Sequence, residues 1–287
     1  TIKNNGGQPT GFLALQYRLA DKLIFSKIKP AVGLSRAKIA VSGAAPITRE
    51  VLEFMASLDI LVSEVYGQSE GSGPTSFNSP GKTKFGTVGP PLPGVEVKLA
   101  EDGEILVGGR NVFAGYYKDP EATAATLDAD GFLLSGDLGA FDADGFLKIV
   151  GRKKEIIITA GGKNITPKNV EEALKSIALI NEAVMIGDAR KFCSAVLTYD
   201  PDLAAEWAKT HSADAATLHE NADFIAEVQK GVDVANAKFA RVEQIRKFAI
   251  LPRNFTMEDK ELTPTLKVKR RIVYQNWSDV IEGMYAE

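Results

Sequence analysis

The chain has 287 residues, of which 45% are hydrophobic and 25% charged, and this composition excludes disordered and fibrous proteins. Its length allows one large domain or two ordinary ones, each with a real core. The net charge of -3 and the pI near 5.7 argue against wholesale binding to nucleic acid, which requires a basic domain.

Cysteine usage and the chain start bear on the compartment. The single cysteine, Cys193, cannot form an internal disulfide, so we expect a reducing compartment and a cytoplasmic protein. No apolar run reaches the roughly 18 to 20 residues that span a bilayer, and residues 1–11 lack the features of a signal peptide. Thr1 is not a start methionine, so we expect a piece of a longer protein. No obligate protein partner is evident.

The first part of the chain alternates apolar runs with helical patterns, which predicts α/β layering. Residues 37–48 indicate a buried strand that stops at Gly43 and Pro46, and residues 48–58 indicate a helix with Thr48 as its N-cap. A second strand follows at 60–67. The Gly-, Ser- and Pro-rich segment after it has no periodicity and is predicted to be a long loop, which is usually functional or mobile.

Short strands separated by turns follow from Val88 and predict a small antiparallel barrel or sheet. The strands are expected at 95–99, 104–109 and, around a second Asp-Gly turn, within 132–151. A short helix is predicted between them, with Asp119 as N-cap and Pro120 at its first position.

After Gly151 the pattern changes to that of a small α+β unit, so we place a domain boundary between residues 151 and 152. The predicted order is strand 155–159, loop 160–167, helix 167–177, strands 182–188 and 194–200, two helical stretches over 201–240, and strand 245–251. The chain is predicted to end in one amphipathic helix. Its apolar stripe comprises Val273, Trp277, Val280, Ile281 and Met284.

The polar segment YGQSEG, at 66–71, directly follows the second predicted strand. Ligands bind at the carboxyl ends of strands in open α/β sheets. Tyr66 offers an aromatic face for a base, Ser69 a hydroxyl for a phosphate oxygen, and Glu70 a carboxylate for Mg²⁺. A polar turn without a ligand is the competing interpretation, and the residues alone leave both open.

The segment SGAAP, at 42–46, supplies small residues where the first predicted strand ends. Glycine and alanine let a flat ring or an acyl chain approach the backbone closely. A strand terminator with a tight turn explains the same residues equally well.

A second candidate carboxylate, Asp137, follows Ser135 and Gly136 at a turn between strands. Its two oxygens can accept hydrogen bonds from both hydroxyls of a ribose. An ordinary aspartate in a β-turn is the alternative.

Two cationic segments are further candidates. In GRKKEIIITAGGKN, Arg152 offers a planar guanidinium for ribose or phosphate oxygens, and Gly161 and Gly162 free the backbone for close approach. Residues 267–271 hold four cations. Solvated turns or helix faces explain both segments as well.

The histidines and the cysteine are predicted to have no chemical role. His211 and His219 lie in a polar helical stretch without partners at metal-binding spacing, so we expect both at the surface. Cys193 lacks a nearby histidine that would make it a nucleophile and is predicted to be a buried structural residue.

Six motifs in order over residues 42–271 resemble the adenylate-forming enzymes, specifically the long-chain fatty acyl-CoA synthetases. The motifs are SGAAP, YGQSE, GTVGPPLPG, DGFLLSGD, GFLKIVGRKKEIIITAGGKNITPKNVEEAL and ELTPTLKVKRR. The helical insert near 200–242 is similar to the bubblegum-type branch of that family. The resemblance implies that residues 1–151 end a large domain, an α/β sheet plus a small β-barrel, and that residues 152–287 form a small, mobile α+β lid.

The resemblance also implies the reaction of a fatty acid–CoA ligase. The fatty acid carboxylate attacks the α-phosphate of Mg-ATP and releases pyrophosphate, and the thiol of coenzyme A then displaces AMP. The implied cofactors and partners are therefore ATP or AMP, Mg²⁺, coenzyme A and a fatty acid, and no nucleic acid.

Position by position, the resemblance puts the nucleotide on the first domain and on Arg152, the first residue of the second. Tyr66 would pack on adenine, Ser69 would contact the α-phosphate, and Glu70 would bind Mg²⁺. Asp137 would hold the ribose hydroxyls with the help of Arg152. The other residues implied at the adenine and acyl pocket are Gly43, Ala44, Ala45, Pro46, Gly67 and Gln68.

The second domain is implied to supply the hinge and two mobile groups. Lys154 matches the hinge position, and Lys267 matches the lysine that bridges carboxylate and phosphate during adenylation. Lys267 and Glu70 are thus the implied catalytic residues. An ammonium there neutralises charge as the two anions meet. The loop that rotation brings to the thioester site corresponds to Gly161, Gly162, Lys163 and Asn164.

The chain departs from the family pattern at several points. Ser69 and Ser135 replace the usual threonines but keep the hydroxyl, and Leu266 stands where many relatives have glycine. The family's phosphate loop, which ends in Pro-Lys-Gly, has no counterpart in residues 1–41. We therefore expect a C-terminal portion that does not adenylate efficiently by itself.

Two other functions stay open at this point. One is an adenylating enzyme with a different acceptor, such as a carrier-protein thiol, and the other is a nucleotide-binding module without catalysis. Peripheral membrane association through the terminal cations is a further alternative, since fatty acids partition into bilayers.

Overall fold

The computed structural model describes residues 2–286, which divide into two compact units, Thr1–Lys154 and Glu155–Glu287. Both units combine helices with β-sheets, and the predicted mixed α/β and α+β class is confirmed. No helix within residues 2–286 is both long and apolar enough to cross a bilayer.

The first unit begins with helical segments and a small mixed sheet. The helices are α1 (Gly11–Ala20), a π-helical turn (Asp21–Phe25), α2 (Ser26–Ala31) and α3 (Arg49–Ser57), and the strands are β1 (Ala40–Ser42), β2 (Val62–Gln68) and β3 (Gly73–Phe77). β1 is parallel to β2, and β3 is antiparallel to it. Thr48 caps α3 as predicted, because its hydroxyl accepts a hydrogen bond from the Val51 amide.

The strand β3 corrects the prediction of a long loop after Gly67. Its residues include Gly73 and Pro74, which have low strand propensity, and no apolar alternation marks them. Pairing with β2 supplies the hydrogen bonds, and Pro74 is tolerated because β3 lies at the edge of the sheet.

A four-stranded antiparallel sheet completes the first unit. Its strands are β4 (Val95–Leu99), β5 (Glu104–Gly109), β6 (Leu133–Phe141) and β7 (Leu147–Arg152), in that spatial order, and α4 (Pro120–Thr126) lies between β5 and β6 in the chain. Ile105, Val107, Leu133 and Leu147 form its core. Asp119 caps α4 as the sequence predicts.

The second unit is built on one three-stranded sheet, β10 (Ile180–Ile186), β11 (Cys193–Tyr199) and β12 (Ile245–Ile250). Alternate residues of β10 enter two different hydrophobic clusters, since Met185 belongs to one and Val184 to the other. Because neighbouring side chains of a strand point to opposite faces, both faces of this sheet are buried.

Helices cover the two faces in separate groups. One face packs against α5 (Pro167–Lys175), α6 (Pro201–His211) and α7 (Ala222–Asn236), and the other against α8 (Arg270–Asn276) and α9 (Ser278–Tyr285). The prediction of one terminal helix is wrong, because Trp277 leaves helical geometry at φ -114° and ψ 24° and separates α8 from α9.

Each face of this sheet also supports one exposed hairpin. The thioester-loop hairpin pairs β8 (Ile157–Ile158) with β9 (Asn164–Ile165), and Ile157 and Ile165 pack into the cluster under α5 to α7. The lysine hairpin, residues 262–268, packs Leu262 and Val268 against the cluster under α8 and α9. The two hairpins therefore rest on opposite faces of one sheet.

The buried carboxylate of Glu64 in β2 should make the stability of the first unit depend on pH. Glu64 is 7% exposed, accepts one hydrogen bond from the Gly86 amide, and has its pKa raised by burial to about 7. Between about pH 4.5 and 7, Glu64 therefore keeps its proton in the folded state and loses it in the unfolded chain. The free energy of unfolding falls as pH rises through that window.

We therefore expect Glu64→Gln to raise the free energy of unfolding at pH 8 by about 1 kcal/mol, after allowance for solvent screening. Below about pH 4.5 the difference should vanish, because Glu64 is then protonated in both states. Scanning calorimetry at the two pH values measures it, with the exposed Glu101→Gln as control. An equal gain at both pH values would contradict the assignment.

Candidate functional site

Three of the predicted nucleotide-binding residues are joined by hydrogen bonds. The Tyr66 hydroxyl donates to Asp137 Oδ2 at 2.8 Å, and Arg152 Nε donates to Asp137 Oδ1 at 2.9 Å. Asp137 and Arg152 are cross-strand partners in β6 and β7, so the antiparallel register brings them together. Burial, and after it the nearby Asp137 carboxylate, raises the pKa of Tyr66, so its hydroxyl stays protonated and donates.

A second buried carboxylate, Glu104, holds the part of β6 that carries Asp137; the prediction of a turn at Asp137 is wrong, because residues 133–141 form one continuous strand. Gly136 adopts a φ of +71°, and its amide donates to Glu104 Oε1 at 2.9 Å. Lys153 Nζ donates to Glu104 Oε2 at 2.7 Å. Glu104 therefore connects Gly136 of β6, next to Asp137, to the residue that precedes Lys154.

A cavity of about 580 Å³ lies beside the end of β2. It is lined by Ala44, Gly67, Gln68 and Ser69 from the predicted pocket, together with Val41, Val65, Ser72, Gly73, Pro74, Phe77 and Leu92. The lining is mainly apolar, which suits a ring or an acyl chain.

Close backbone approach explains Gly67, which lines this cavity, and Gly43, which lies after β1 and does not line it. A Cβ on Gly43 would lie 2.5 Å from a Val65 methyl, and one on Gly67 would lie 2.0 Å from the Gly73 carbonyl oxygen. The β2–β3 register also shifts between Tyr66 and Gly67, a bulge of the kind that redirects side chains beside binding sites. Ala45 and Pro46 are exposed in the turn after β1.

Ser69 and Glu70 lie on a short 3-10 turn, Ser69–Gly71, directly after β2. Glu70 Oε1 accepts a hydrogen bond from the Tyr116 hydroxyl at 2.6 Å. Residues 2–286 contain no cluster of three or more acidic, histidine or cysteine side chains suited to a metal ion. A lone carboxylate nevertheless fits Mg²⁺ that is bound largely through nucleotide phosphates and water.

The predicted hinge residue and thioester loop are exposed. Lys154 is the last residue of the first unit and lies in the turn Lys153–Glu155. In the thioester-loop hairpin, the amide and the carbonyl of Lys163 bond to Thr159, and Gly162 has a φ of +72°. Gly161 to Asn164 thus form a tight turn with solvent-facing backbone.

The lysine hairpin presents Lys267 to solvent on a fixed backbone. The Lys267 amide donates to Thr263 Oγ1 at 2.9 Å, and its carbonyl accepts from the Thr263 amide at 2.8 Å. Leu266 has a φ of +59°, the conformation that favours glycine. This geometry costs leucine roughly 1–2 kcal/mol.

The cation cluster at 267–271 is not uniformly solvated. Arg270 is largely buried, and its guanidinium donates to Glu171 Oε2 and to the Met185 carbonyl, both at 2.9 Å. Glu171 also accepts from the Met185 amide at 2.8 Å. The interpretation of the cluster as a solvated helix face is therefore wrong for Arg270, which anchors α8 to β10.

The remaining residues for which the sequence made a prediction are Cys193, His211 and His219. Cys193 is buried as predicted, and burial raises the pKa of its thiol to about 11, so it stays protonated at neutral pH. His211 is exposed and stacks on Trp207 at 3.9 Å. The surface prediction for His219 is wrong, because this side chain is only 20% exposed.

Two residues that contact the predicted site were not identified from the sequence, namely Glu104 and Tyr116. Glu104 follows an Asp-Gly turn and Tyr116 lies in an aperiodic loop, so neither has a local pattern that indicates its partner. Their partners are 32 and 46 residues away, and only the folded chain brings them together.

Comparison with known proteins gives two family matches. Residues 8–117 match the AMP-binding enzyme family, and residues 154–287 match the AMP-binding enzyme C-terminal domain.

Curated relatives of similar sequence are ligases. Long-chain-fatty-acid–CoA ligase FadD15 of Mycobacterium tuberculosis is 42% identical over 97% of this chain and 47% of the relative. Long-chain-fatty-acid–CoA ligase ACSBG2 of Xenopus laevis is 37% identical over 99% of this chain and 42% of the relative. The chain thus spans about half the length of these relatives.

The fold is also found in a solved structure. The adenylation domain of a carboxylate reductase from Mycobacterium chelonae has a TM-score of 0.73 at 24% identity, over 95% of this chain and 42% of that one. With both family matches, the resemblance to long-chain fatty acyl-CoA synthetases is confirmed, and the chain belongs to the AMP-binding enzyme family.

Proposed function

We propose that this chain is the carboxyl-terminal part of a long-chain fatty acid–CoA ligase that works through an acyl-adenylate. The ligase relatives at 37–42% identity support this substrate class. The observation that carries the nucleotide site is the hydrogen-bonded group of Tyr66, Asp137 and Arg152. The residues that directly follow Tyr66 in the chain line the apolar cavity.

The proposed roles divide between two domains, 1–151 and a lid, 152–287. Asp137 and Arg152 hold the ribose of ATP or AMP, and Tyr66 packs on the adenine. Ser69 contacts the α-phosphate. The adenine and acyl pocket is formed by Gly43, Ala44, Ala45, Pro46, Gly67 and Gln68.

Glu70 holds Mg²⁺, which neutralises phosphate charge when bound. In the first half-reaction a fatty acid carboxylate oxygen bonds to the α-phosphorus and pyrophosphate leaves, with Lys267 neutralising the two anions. In the second, the sulfur of coenzyme A bonds to the acyl carbon, AMP leaves, and the thiol proton passes to solvent. Lys154 acts as the hinge between the two steps, and Gly161 to Asn164 then serve the thioester step.

We place the ligase in the cytoplasm, because the chain has one cysteine, and allow peripheral contact with membranes that hold its fatty acid. No nucleic acid partner is proposed. Acyl-CoA formation by the full-length ligase from fatty acid, ATP and coenzyme A tests the activity. Transfer only to a carrier-protein thiol, or AMP binding without turnover, would contradict it.

Within the chain itself, Asp137→Asn should weaken AMP binding by about 10-fold or more, since hydrogen bonds to a charged group contribute roughly 1.5–3 kcal/mol. Calorimetric titration with AMP measures the change. Asp144→Asn is a matched control, because the Asp144 side chain is 70% exposed and pairs only with Lys84 among residues 2–286. We also expect negligible ATP–pyrophosphate exchange by the chain alone, and substantial exchange would contradict this expectation.

A further inference from the structure

The proposed metal-binding carboxylate of Glu70 is held by a segment that the assigned roles leave out. This segment, residues 109–116, connects β5 towards α4 and runs beside the turn Ser69–Gly71. The Phe113 amide donates to the Glu70 carbonyl at 2.8 Å, and Asn111 Nδ2 donates to the Gly71 carbonyl at 3.1 Å. Ser72 Oγ donates in return to the Asn111 carbonyl at 2.7 Å.

One side chain of this segment acts on the carboxylate itself. The Tyr116 hydroxyl donates to Glu70 Oε1 at 2.6 Å, and its edge-on contact with Phe113, at 4.9 Å between ring centroids, fixes the ring. Tyr116 occupies one carboxylate oxygen and directs the other, Oε2, away from itself.

The backbone of Tyr116 is fixed from the opposite side by α4. The Tyr116 amide donates to Thr123 Oγ1 at 2.9 Å. The Thr123 hydroxyl in turn donates to the Asp119 carbonyl at 2.8 Å. Gly115, at a φ of +139°, permits this approach, because a Cβ there would lie 2.7 Å from the Thr123 methyl. The backbone of Tyr116 is therefore held in place by contacts within the chain.

We propose that Tyr116 is a positioning residue that orients the Glu70 carboxylate for a divalent cation bound with a nucleoside triphosphate. The inference rests on the proposed function, which assigns the cation to Glu70. Outer partners that orient a metal ligand typically change metal affinity by 10–100-fold when they are removed. The neighbouring Tyr117 provides a matched control, because it is 87% exposed and its ring meets only Lys118 among the described residues.

The test measures ATP binding to the chain by calorimetric titration, once with Mg²⁺ and once with EDTA, for the wild-type chain and for Tyr116→Phe, Tyr117→Phe and Glu70→Gln. The quantity of interest is the dissociation constant in EDTA divided by the dissociation constant with Mg²⁺, which is the gain in ATP affinity from Mg²⁺. We expect Tyr116→Phe to reduce the gain from Mg²⁺ by about 10-fold while binding in EDTA stays unchanged. Glu70→Gln should remove most of the gain, and Tyr117→Phe should keep it. Thermal unfolding of each variant checks the fold, and the phenylalanine ring retains the contact with Phe113.

The outcomes separate the inference from the function on which it rests. If Tyr116→Phe keeps the Mg²⁺ gain while Glu70→Gln loses it, the positioning role is wrong and the metal assignment stands. Equal weakening with Mg²⁺ and with EDTA assigns Tyr116 a purely structural role and also overturns the inference. If Glu70→Gln keeps the gain, or the wild-type chain binds no ATP, the proposed metal site in this chain fails and the inference fails with it.

Discussion

Lys267→Ala is expected to slow acyl-adenylate formation in the full-length ligase by about 100-fold or more, the usual loss when one preorganised electrostatic group is removed. Its thioester step, started from supplied acyl-adenylate, should change little. The reason is structural: Lys267 is exposed directly after the turn of the lysine hairpin, and its backbone is fixed by Thr263, so alanine removes the ammonium and leaves the hairpin intact.

The measurement follows each half-reaction separately, by ATP–pyrophosphate exchange and by acyl-CoA release. Lys269→Ala is the matched control, because Lys269 is exposed two residues away and its amide, not its side chain, bonds to the Glu261 carbonyl. Equal losses in both half-reactions, or a similar loss with Lys269→Ala, would contradict the assignment of Lys267.

Glu261→Ala is expected to lower the free energy of unfolding of the second unit by about 3 kcal/mol, the scale for removing one partner of a buried ion pair. Glu261 is fully buried at the base of the lysine hairpin. Its carboxylate accepts hydrogen bonds from both Arg253 terminal nitrogens, the Thr256 amide, Asn276 Nδ2 and Trp277 Nε1. Alanine leaves these donors without their acceptor and also fills less space.

Urea unfolding followed by tryptophan fluorescence isolates this effect, because both tryptophans, Trp207 and Trp277, lie in the second unit. Glu258→Ala is the control, since Glu258 is exposed three residues away. Burial opposes ionisation of Glu261, but its hydrogen bonds, first those from Arg253, outweigh burial and lower its pKa. The loss should therefore be present at neutral pH and shrink as acid protonates the folded carboxylate. A loss below 1 kcal/mol at pH 7 would contradict this account.

Local chemistry explains which elements the sequence predicted. Thr48 and Asp119 are helix caps whose side chains bond within three residues, and apolar alternation marks β4 to β7, so both signals are readable along the chain. The strand β3 and the break at Trp277 depend on partners that are distant in sequence. Pairing with β2 creates the first, and the indole bond to Glu261 accompanies the second.

In the candidate site, too, the sequence indicated residues that lie in short motifs but not residues whose partners are distant in the chain. Tyr66, Asp137 and Arg152 were named from motifs, and the structure adds that they bond to one another across β2, β6 and β7. Their roles towards ligands stay predictions. Glu104 and Tyr116 were missed because a carboxylate after a turn and a tyrosine in a loop have no distinctive spacing, although Tyr116 contacts the predicted Glu70 and Glu104 contacts Gly136, the neighbour of Asp137. Arg270 was misassigned because a run of cations reads as surface until its buried partner Glu171 is located.

The arrangement of the two hairpins on opposite faces of one sheet has a consequence for how the second unit works. The thioester-loop hairpin and the lysine hairpin are supported by different clusters, yet they share β10 and β11. The two hairpins are therefore separated by the sheet itself, and each depends on its own hydrophobic cluster. A core substitution under α5 to α7 should disturb Gly161 to Asn164 first, and one under α8 and α9 should disturb the backbone of Lys267 first.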